Sequence, residues 1–326
     1  MKRLSNGVVK TLLLLLSLLF VSCVTIRRPQ LSPEDEAVLY PVASYVPESF
    51  EWEAVCPGVE RFDFENTSFP VVYHAVKIDL NEEGLELCCF PDSTVTQGQY
   101  GADVADIPQP FIYKGIRTQK FAKRYACTVA VNLSPFAGKN GAWDLQAKLG
   151  SVRQVVGVHK ADGLMISAPV QRYAAIYFSR QVLSDGQNVW RASIEKNQTE
   201  AAAAASDFAF GGFYVVLEKG GVQTSFARIH DSRTGIGISD NGRFLYLLVV
   251  EGENRTKSEG LSYPQCGEIF KSMGCSDALE MDGGGSAELC INGKSVLTYK
   301  NFRTQANSLG VRFPDTLRLR SGTARE

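Results

Sequence analysis

The chain has 326 residues, 44% of them hydrophobic, 10% aromatic and 21% charged, an ordinary composition for a globular protein with room for one large domain or two. Its formal net charge of −1 gives no electrostatic reason to expect a nucleic-acid partner. Three histidines, His74, His159 and His230, are too few and too scattered to mark a metal centre.

The N-terminus reads as an export signal. Lys2, Arg3 and Lys10 are basic, and residues 11–21 form an apolar run about half as long as a membrane span. The run stops at Ser22 and Cys23, as in a bacterial lipoprotein signal. Cleavage before Cys23 and acylation of its thiol would anchor the mature chain in the cell envelope, on the periplasmic or outer surface. A plain secretory signal or an N-terminal anchor helix are the other readings. Residues 1–22 are thus expected to be signal, 23–60 a proline-rich tether and peripheral segment, 61–314 one domain and 315–326 a polar tail. Without Cys23 seven cysteines remain, so at least one thiol is unpaired or bonded to another chain. One or two disulfides and buried free thiols both stay open, and the absence of C-x-x-C argues against a thiolate zinc site.

In chain order, residues 32–40 carry a helix start, with Ser32 as cap and Pro33 in the first turn. Residues 69–80 and 85–90 read as a hairpin around the turn 81–84. In it, adjacent Cys88 and Cys89 would face opposite sides. Residues 125–133 form a buried strand ending at Asn132. Residues 151–167 read strand, Asp162-Gly163 turn, strand, and 173–179 is a further strand. An alanine run at 199–208 favours a short helix. Residues 213–221 give a strand and turn, and 233–239 with 243–252 form a hairpin through 240–242. Ser262 and Gln265 have capping-box spacing for a helix that stops at Gly274. Residues 276–282 form a strand, 287–299 a hairpin through Asn292-Gly293, and 306–313 a last strand. Strands dominate, which predicts an α+β fold: a mixed, mostly antiparallel β-sheet core with a few flanking helices.

The stretch that invites chemistry is LEMDGGGSAEL, residues 279–289. It lacks the lysine of a P-loop and the spacing of a dinucleotide fingerprint. Gly283, Gly284 and Gly285 would let a ligand approach backbone N–H groups, an anion cradle to which Ser286 adds a hydroxyl and Asp282 a carboxylate. Taken alone, a sharp strand-to-strand turn explains the glycines equally well. Arg233 and Thr234 start one strand, and Arg303 and Asn307 precede another, so two guanidinium groups could grip a phosphate or carboxylate.

This ordered series resembles the phosphodiester glycosidase domain family, whose members include the uncovering enzyme of mannose 6-phosphate tagging and bacterial exopolysaccharide-associated proteins. The resemblance rests on AVNLSPF (130–136), FAFGGFYVVLEKG (208–220), RTGIGISDNGRFLYLLVVEG (233–252), residues 260–289 and FRTQANSLGV (302–311). The chain departs from the pattern in two places. Leu133, Ser134 and Pro135 follow Asn132 where the family has glycine, and Glu251 stands where aspartate is common.

The resemblance implies hydrolysis of a sugar-1-phosphodiester at the anomeric carbon. Asp282 is then the first candidate for the catalytic carboxylate, Glu251 the second and Asp231 the third. Arg233, Thr234, Gly283, Gly284, Gly285, Ser286 and Arg303 would receive the phosphate, and Asn132 and Asn307 sugar hydroxyls. No cofactor is required. A divalent cation near Asp282 would suit its carboxylate, though no spacing demands one. His230 beside Asp231 could orient a phosphate or act as an acid, or simply lie at the surface. The competing reading is a glycan- or phosphoglycan-binding surface lipoprotein of the same fold without catalysis. A third is an envelope protein in which the glycines only turn the chain. Glu288 has no role on sequence grounds.

Overall fold

A computed structural model of the chain describes residues 31–94, 112–137, 152–226 and 228–313. Cys23, the apolar run before it and residues 315–326 lie outside the described residues.

One eight-stranded sheet organises the fold. Its order is Glu53–Cys56, Val59–Asn66, Val71–Asp79, Phe244–Val250, Arg233–Ile238, Asp277–Glu280, Val215–Glu218 and Gly221–Val222. Strand Phe244–Val250 shows why both faces are covered. Leu245, Leu247 and Val249 point into one core, and Tyr246, Leu248 and Val250 into another. Each such side chain contributes about 1.5–3 kcal/mol on burial, so a one-residue slip would exchange two fitted faces at once.

The inner face packs on two five-stranded sheets. One is built from Leu164–Ser167, His159–Ala161, Phe208–Gly211, Ala175–Val182 and Asn188–Glu195. The other is built from Lys294–Ser295, Leu289–Ile291, Val129–Asn132, Ser308–Arg312 and Glu86–Phe90. A three-stranded sheet of Ile112–Lys114, Val152–Val155 and Phe136–Ala137 and the helix Thr118–Arg124 close the second of these. Every pairing between described strands is antiparallel. The expected mostly antiparallel core with few helices is therefore what forms.

The outer face of the large sheet carries the helix Tyr263–Ser272, which opens on the expected capping box of Ser262 and Gln265. Its Phe270 ring lies directly on the strand Arg233–Ile238. A Cβ at Gly235 would come within 2.7 Å of that ring, and one at Gly237 within 2.6 Å. The glycines of RTGIGIS are thus packing glycines. The alanine run folds as helix Glu200–Ala205, whose end is held by buried Lys160. Its Nζ donates to the carbonyls of Ala203, Ala204 and Ser206.

Two expectations change. The strands Val71–Asp79 and Glu86–Phe90 are not a hairpin: they belong to different sheets, and the first pairs with Val59–Asn66 and Phe244–Val250. The first strand pair, Glu53–Cys56 with Val59–Asn66, begins inside the segment read as peripheral and joins the large sheet. Cys88 and Cys89 do face opposite sides, and each enters a different core. Among the described residues Cys88, Cys89, Cys127, Cys266, Cys275 and Cys290 are free thiols.

Candidate active site

Three strands of the large sheet come together at one edge. Phe244–Val250 runs out into Glu251, Arg233–Ile238 starts there, and Asp277–Glu280 runs out into Asp282 and the glycines. The register dictates this, because Arg233 pairs with Val250 and Gly235 with Glu280. Beyond the strand, Met281 N–H donates to the Thr234 carbonyl (2.7 Å) and Gly284 N–H to the Ser232 carbonyl (2.8 Å).

Asn132 ties this edge to the neighbouring sheet. Its Nδ2 donates to the Asp282 carbonyl (2.6 Å), and its Oδ1 accepts from Thr234 Oγ1 (2.9 Å) and Glu288 N–H (2.9 Å). Asp282 N–H donates to the Leu133 carbonyl (2.7 Å). Asn132 and Thr234 are fully buried, so they hold the backbone of Asp282 and Glu288 in place. Asn307, also buried, accepts from Ser134 N–H (2.8 Å) and donates to Ser134 Oγ (2.9 Å), fixing the segment that follows Asn132. Its Nδ2 lies 2.9 Å from Nδ1 of His159, a buried ring whose pKa desolvation lowers to about 4.

The glycine stretch folds as one 3-10 turn, Gly284–Ser286, with Gly284 at φ +56°. A Cβ on Gly283 would sit 2.5 Å from the Ser232 carbonyl oxygen, and one on Gly285 3.1 Å from the Arg303 guanidinium. The first absence lets the turn lie against the neighbouring strand, and the second lets Arg303 lie across it. Two amides that an anion cradle would draw on serve the turn itself: Gly284 N–H bonds Ser232, and Ser286 N–H bonds the Gly283 carbonyl (3.1 Å).

Asp282, Ser286 and Arg303 form a short chain. Arg303 Nη1 donates to Ser286 Oγ (3.4 Å), and the Ser286 hydroxyl bonds the Asp282 carboxylate. Desolvation dominates at Asp282. It pushes the carboxyl up to about 7, against the opposing pull of Ser286 and the Arg303 charge. A carboxyl raised this far changes its charge near neutral pH.

Glu288, unassigned by the sequence, has the same character. It is 3% exposed, and burial raises its carboxyl to about 7 although Ser295 Oγ and the Cys290 thiol bond it and Arg117 attracts it. It lines a cleft of about 540 Å³ with Arg117, Lys294, Thr298, Tyr299 and Asn301. The available sequence signal was a glutamate set among Ala287, Leu289 and Cys290, an apolar run in which a carboxylate is costly to bury.

Glu251 is different. It is fully buried and fully bonded: Oε1 accepts from Thr298 N–H (2.7 Å) and lies 3.0 Å from His74 Nε2, and Oε2 accepts from the Thr298 hydroxyl. Burial alone would raise its carboxyl, but these bonds bring it below the ordinary value.

Arg233 and Arg303 have separate surroundings. Arg233 Nε donates to the Leu261 carbonyl (2.8 Å) and Nη2 to that of Ile229, and its guanidinium stacks 4.2 Å from the centre of the Tyr263 ring. It also faces Glu280, fully buried, whose carboxyl burial lifts to about 7 against the attraction of Arg233. Asp231 Oδ1 accepts from Ser232 N–H (2.8 Å), and His230 Nε2 lies 3.3 Å from Glu36 of the N-terminal helix Pro33–Leu39. Among the described residues no three His, Cys, Asp or Glu side chains gather as a cation site.

Two carboxyls raised towards neutrality, Asp282 and Glu288, thus lie close in sequence on either side of the glycine turn, with Arg303 across it. Comparison with known proteins gives the family. Residues 125–312, more than half of the chain, match the phosphodiester glycosidase family, and the chain belongs to it. Among solved structures it is similar to the catalytic domain of zebrafish N-acetylglucosamine-1-phosphodiester alpha-N-acetylglucosaminidase, auto-inhibited there by its pro-peptide. That match has 18% identity and TM-score 0.53, and covers 83% of this chain and 86% of the zebrafish one. It is also similar to a protein from Synechocystis (14% identity, TM-score 0.54, 81% of this chain) and to an exported-type protein from Burkholderia pseudomallei (14%, TM-score 0.50, 74% of each chain). The chain spans 64% of the Synechocystis protein. These structures share the fold, and no curated protein sequence matches the chain.

Proposed function

We propose that the protein is an exported, lipid-anchored hydrolase that cleaves the C1–O bond of a sugar-1-phosphodiester in a cell-envelope or exopolysaccharide glycan. One observation carries this reading: Asp282, its carboxyl raised to about 7, is joined through Ser286 to Arg303. In the reaction water adds to C1, the C1–O bond breaks, and the electron pair leaves with a phosphomonoester. Arg303 and Ser286 stabilise the charge that grows on the phosphate oxygens. A phosphate leaves readily, so the main demand is at C1, where ionised Asp282 acts. Glu288, near neutrality at the cleft, exchanges a proton with water or the leaving oxygen. The cations Arg117, Lys294 and Lys300 around that cleft favour an anionic chain on the far side of the phosphate.

The test is sugar release by purified protein from a UDP-sugar and from N-acetylglucosamine-1-phosphodiesters, followed by NMR so that the first anomer formed is read. Release by wild type and its loss in Asp282→Asn are expected. Binding of anionic glycans that persists in Asp282→Asn, with no turnover by either protein, would instead support the non-catalytic glycan-binding reading. Mass analysis of the chain from membranes reads the anchor: acylation at Cys23 is expected.

A further inference from the structure

A row of charged side chains lies behind the cleft wall. His74 pairs in register with Asp63 on one neighbouring strand and with Val249 on the other. Glu251 follows Val249 by two residues. His74 Nδ1 lies 2.6 Å from Asp63 Oδ1, and Nε2 lies 3.0 Å from Glu251 Oε1. A carboxylate at each ring nitrogen can be satisfied only if both nitrogens carry protons, so the geometry fits an imidazolium. The same Glu251 carboxylate receives the amide and hydroxyl of Thr298. Thr298 opens the segment that continues through Tyr299 and Asn301 to Arg303. Asn301 Nδ2 donates to the Ala287 carbonyl (3.0 Å), and its Oδ1 accepts from Arg303 N–H (2.9 Å). Hydrogen bonds and the backbone of 298–303 thus connect His74 to Arg303, whose charge acts on Asp282.

We propose that Asp63, His74 and Glu251 form a charged relay that positions the segment Thr298–Arg303, making His74 a positioning residue for the site. The sense of the pH dependence follows from the groups that face the ring. Burial by itself would lower the His74 pKa, but the bonds to Asp63 and Glu251 outweigh it and raise the value above 6.5. The His74 bond is the main cause that lowers Asp63, and Arg61 lies 3.9 Å from Asp63 on the same strand. On the cleft side, the Tyr299 hydroxyl is raised by burial and then by Glu253, Glu251 and Glu288. The His74 contribution is complete below its ordinary pKa and is lost as pH rises through the raised one. The contributions of Asp63 and Glu251 are lost only as pH falls below the carboxylate range.

The relay is tested on the full chain by NMR. The His74 ring protons and the exchange rate of the Thr298 amide are followed from acid to alkaline pH in wild type, Asp63→Asn and His74→Gln. In wild type the imidazole and the Thr298 amide should change with one midpoint, above the ordinary histidine value. Asp63→Asn, a change at a half-exposed side chain, should lower that midpoint by about one unit. His74→Gln should abolish the transition. A His74 ring that stays neutral, or a Thr298 amide that exchanges independently of it in folded protein, overturns the proposal.

Only the kinetic arm rests on the hydrolase reading. There, kcat/KM should fall about tenfold along an alkaline limb with the same midpoint, displaced in Asp63→Asn. Co-titration without any sugar release would leave the relay standing and remove the hydrolase reading. Sugar release with an alkaline limb unmoved in Asp63→Asn would do the opposite.

Discussion

Asp282 and Glu251 leave the same edge of the same sheet and have opposite electrostatics. Glu251 is closed off, with Thr298 and His74 bonding its oxygens, and its carboxyl lies below the ordinary range. Asp282 has Ser286 as its bonding hydroxyl and Arg303 as its nearby charge, and desolvation wins, raising it to about 7. The difference teaches that acidity near a site follows from the balance between desolvation and the donors supplied to each carboxylate. A carboxylate saturated by its own protein holds structure. One left short of donors is poised to react.

The comparison is broken most severely at Asp282. Asp282→Asn should reduce turnover on the order of 10⁴-fold. The same variant should be more stable than wild type at alkaline pH. The folded chain keeps the Asp282 proton up to about pH 7, whereas the unfolded chain releases it near its ordinary value of 3.8. Stability therefore falls as pH rises between those values, and the amide removes that slope. Thermal melts at pH 5 and pH 8 check this, with the larger gain at the higher pH.

Arg233→Met should act on stability. It leaves Glu280 buried without its cation, at a cost of about 3–5 kcal/mol at pH 8. The loss should be smaller at pH 5, where Glu280, raised to about 7, is protonated with or without Arg233. Denaturant unfolding at the two pH values reads the difference.

Arg303→Met should lower kcat/KM by about 10²–10³-fold, the scale of one electrostatic contact to developing charge. Its effect on melting should be small, because Arg303 faces the site. The smallest effect is expected of Gly237→Ala. A methyl there would meet the Phe270 ring, costing about 1–3 kcal/mol in unfolding while the pH–rate profile keeps its shape.

Local signals carried much of this architecture. The capping box at Ser262, the hairpin through residues 240–242 and the Asn292-Gly293 turn, with Asn292 at φ +50°, are each decided within a few residues. The run 69–90 misled for the same reason. The turn at 81–84 is genuine, but the strands on either side pair with distant partners, Phe244–Val250 and Ser308–Arg312, and so enter different sheets. The strand Asn188–Glu195 passed without notice because its core residues Val189, Trp190 and Ala192 lack a clean alternation. At the site, Asp282, Ser286 and Arg303 were named from the motif and do lie together. Arg233 was named with them and is bonded instead around Leu261, Ile229 and Tyr263.

The sequence by itself determined the strand-rich, antiparallel character, the helices near residues 33, 200 and 263 with several turns, and the glycine turn with its carboxylate and hydroxyl. These depend on periodicity, caps and backbone freedom over a few residues. Only the tertiary structure decided which charges act on which. Glu251 is joined to a histidine 177 residues away, and Asn132 reaches across 150 residues to Asp282 and 156 to Glu288. Desolvation and donor supply are properties of the assembled surroundings, so the proton affinity of each carboxyl exists only once the sheets have packed.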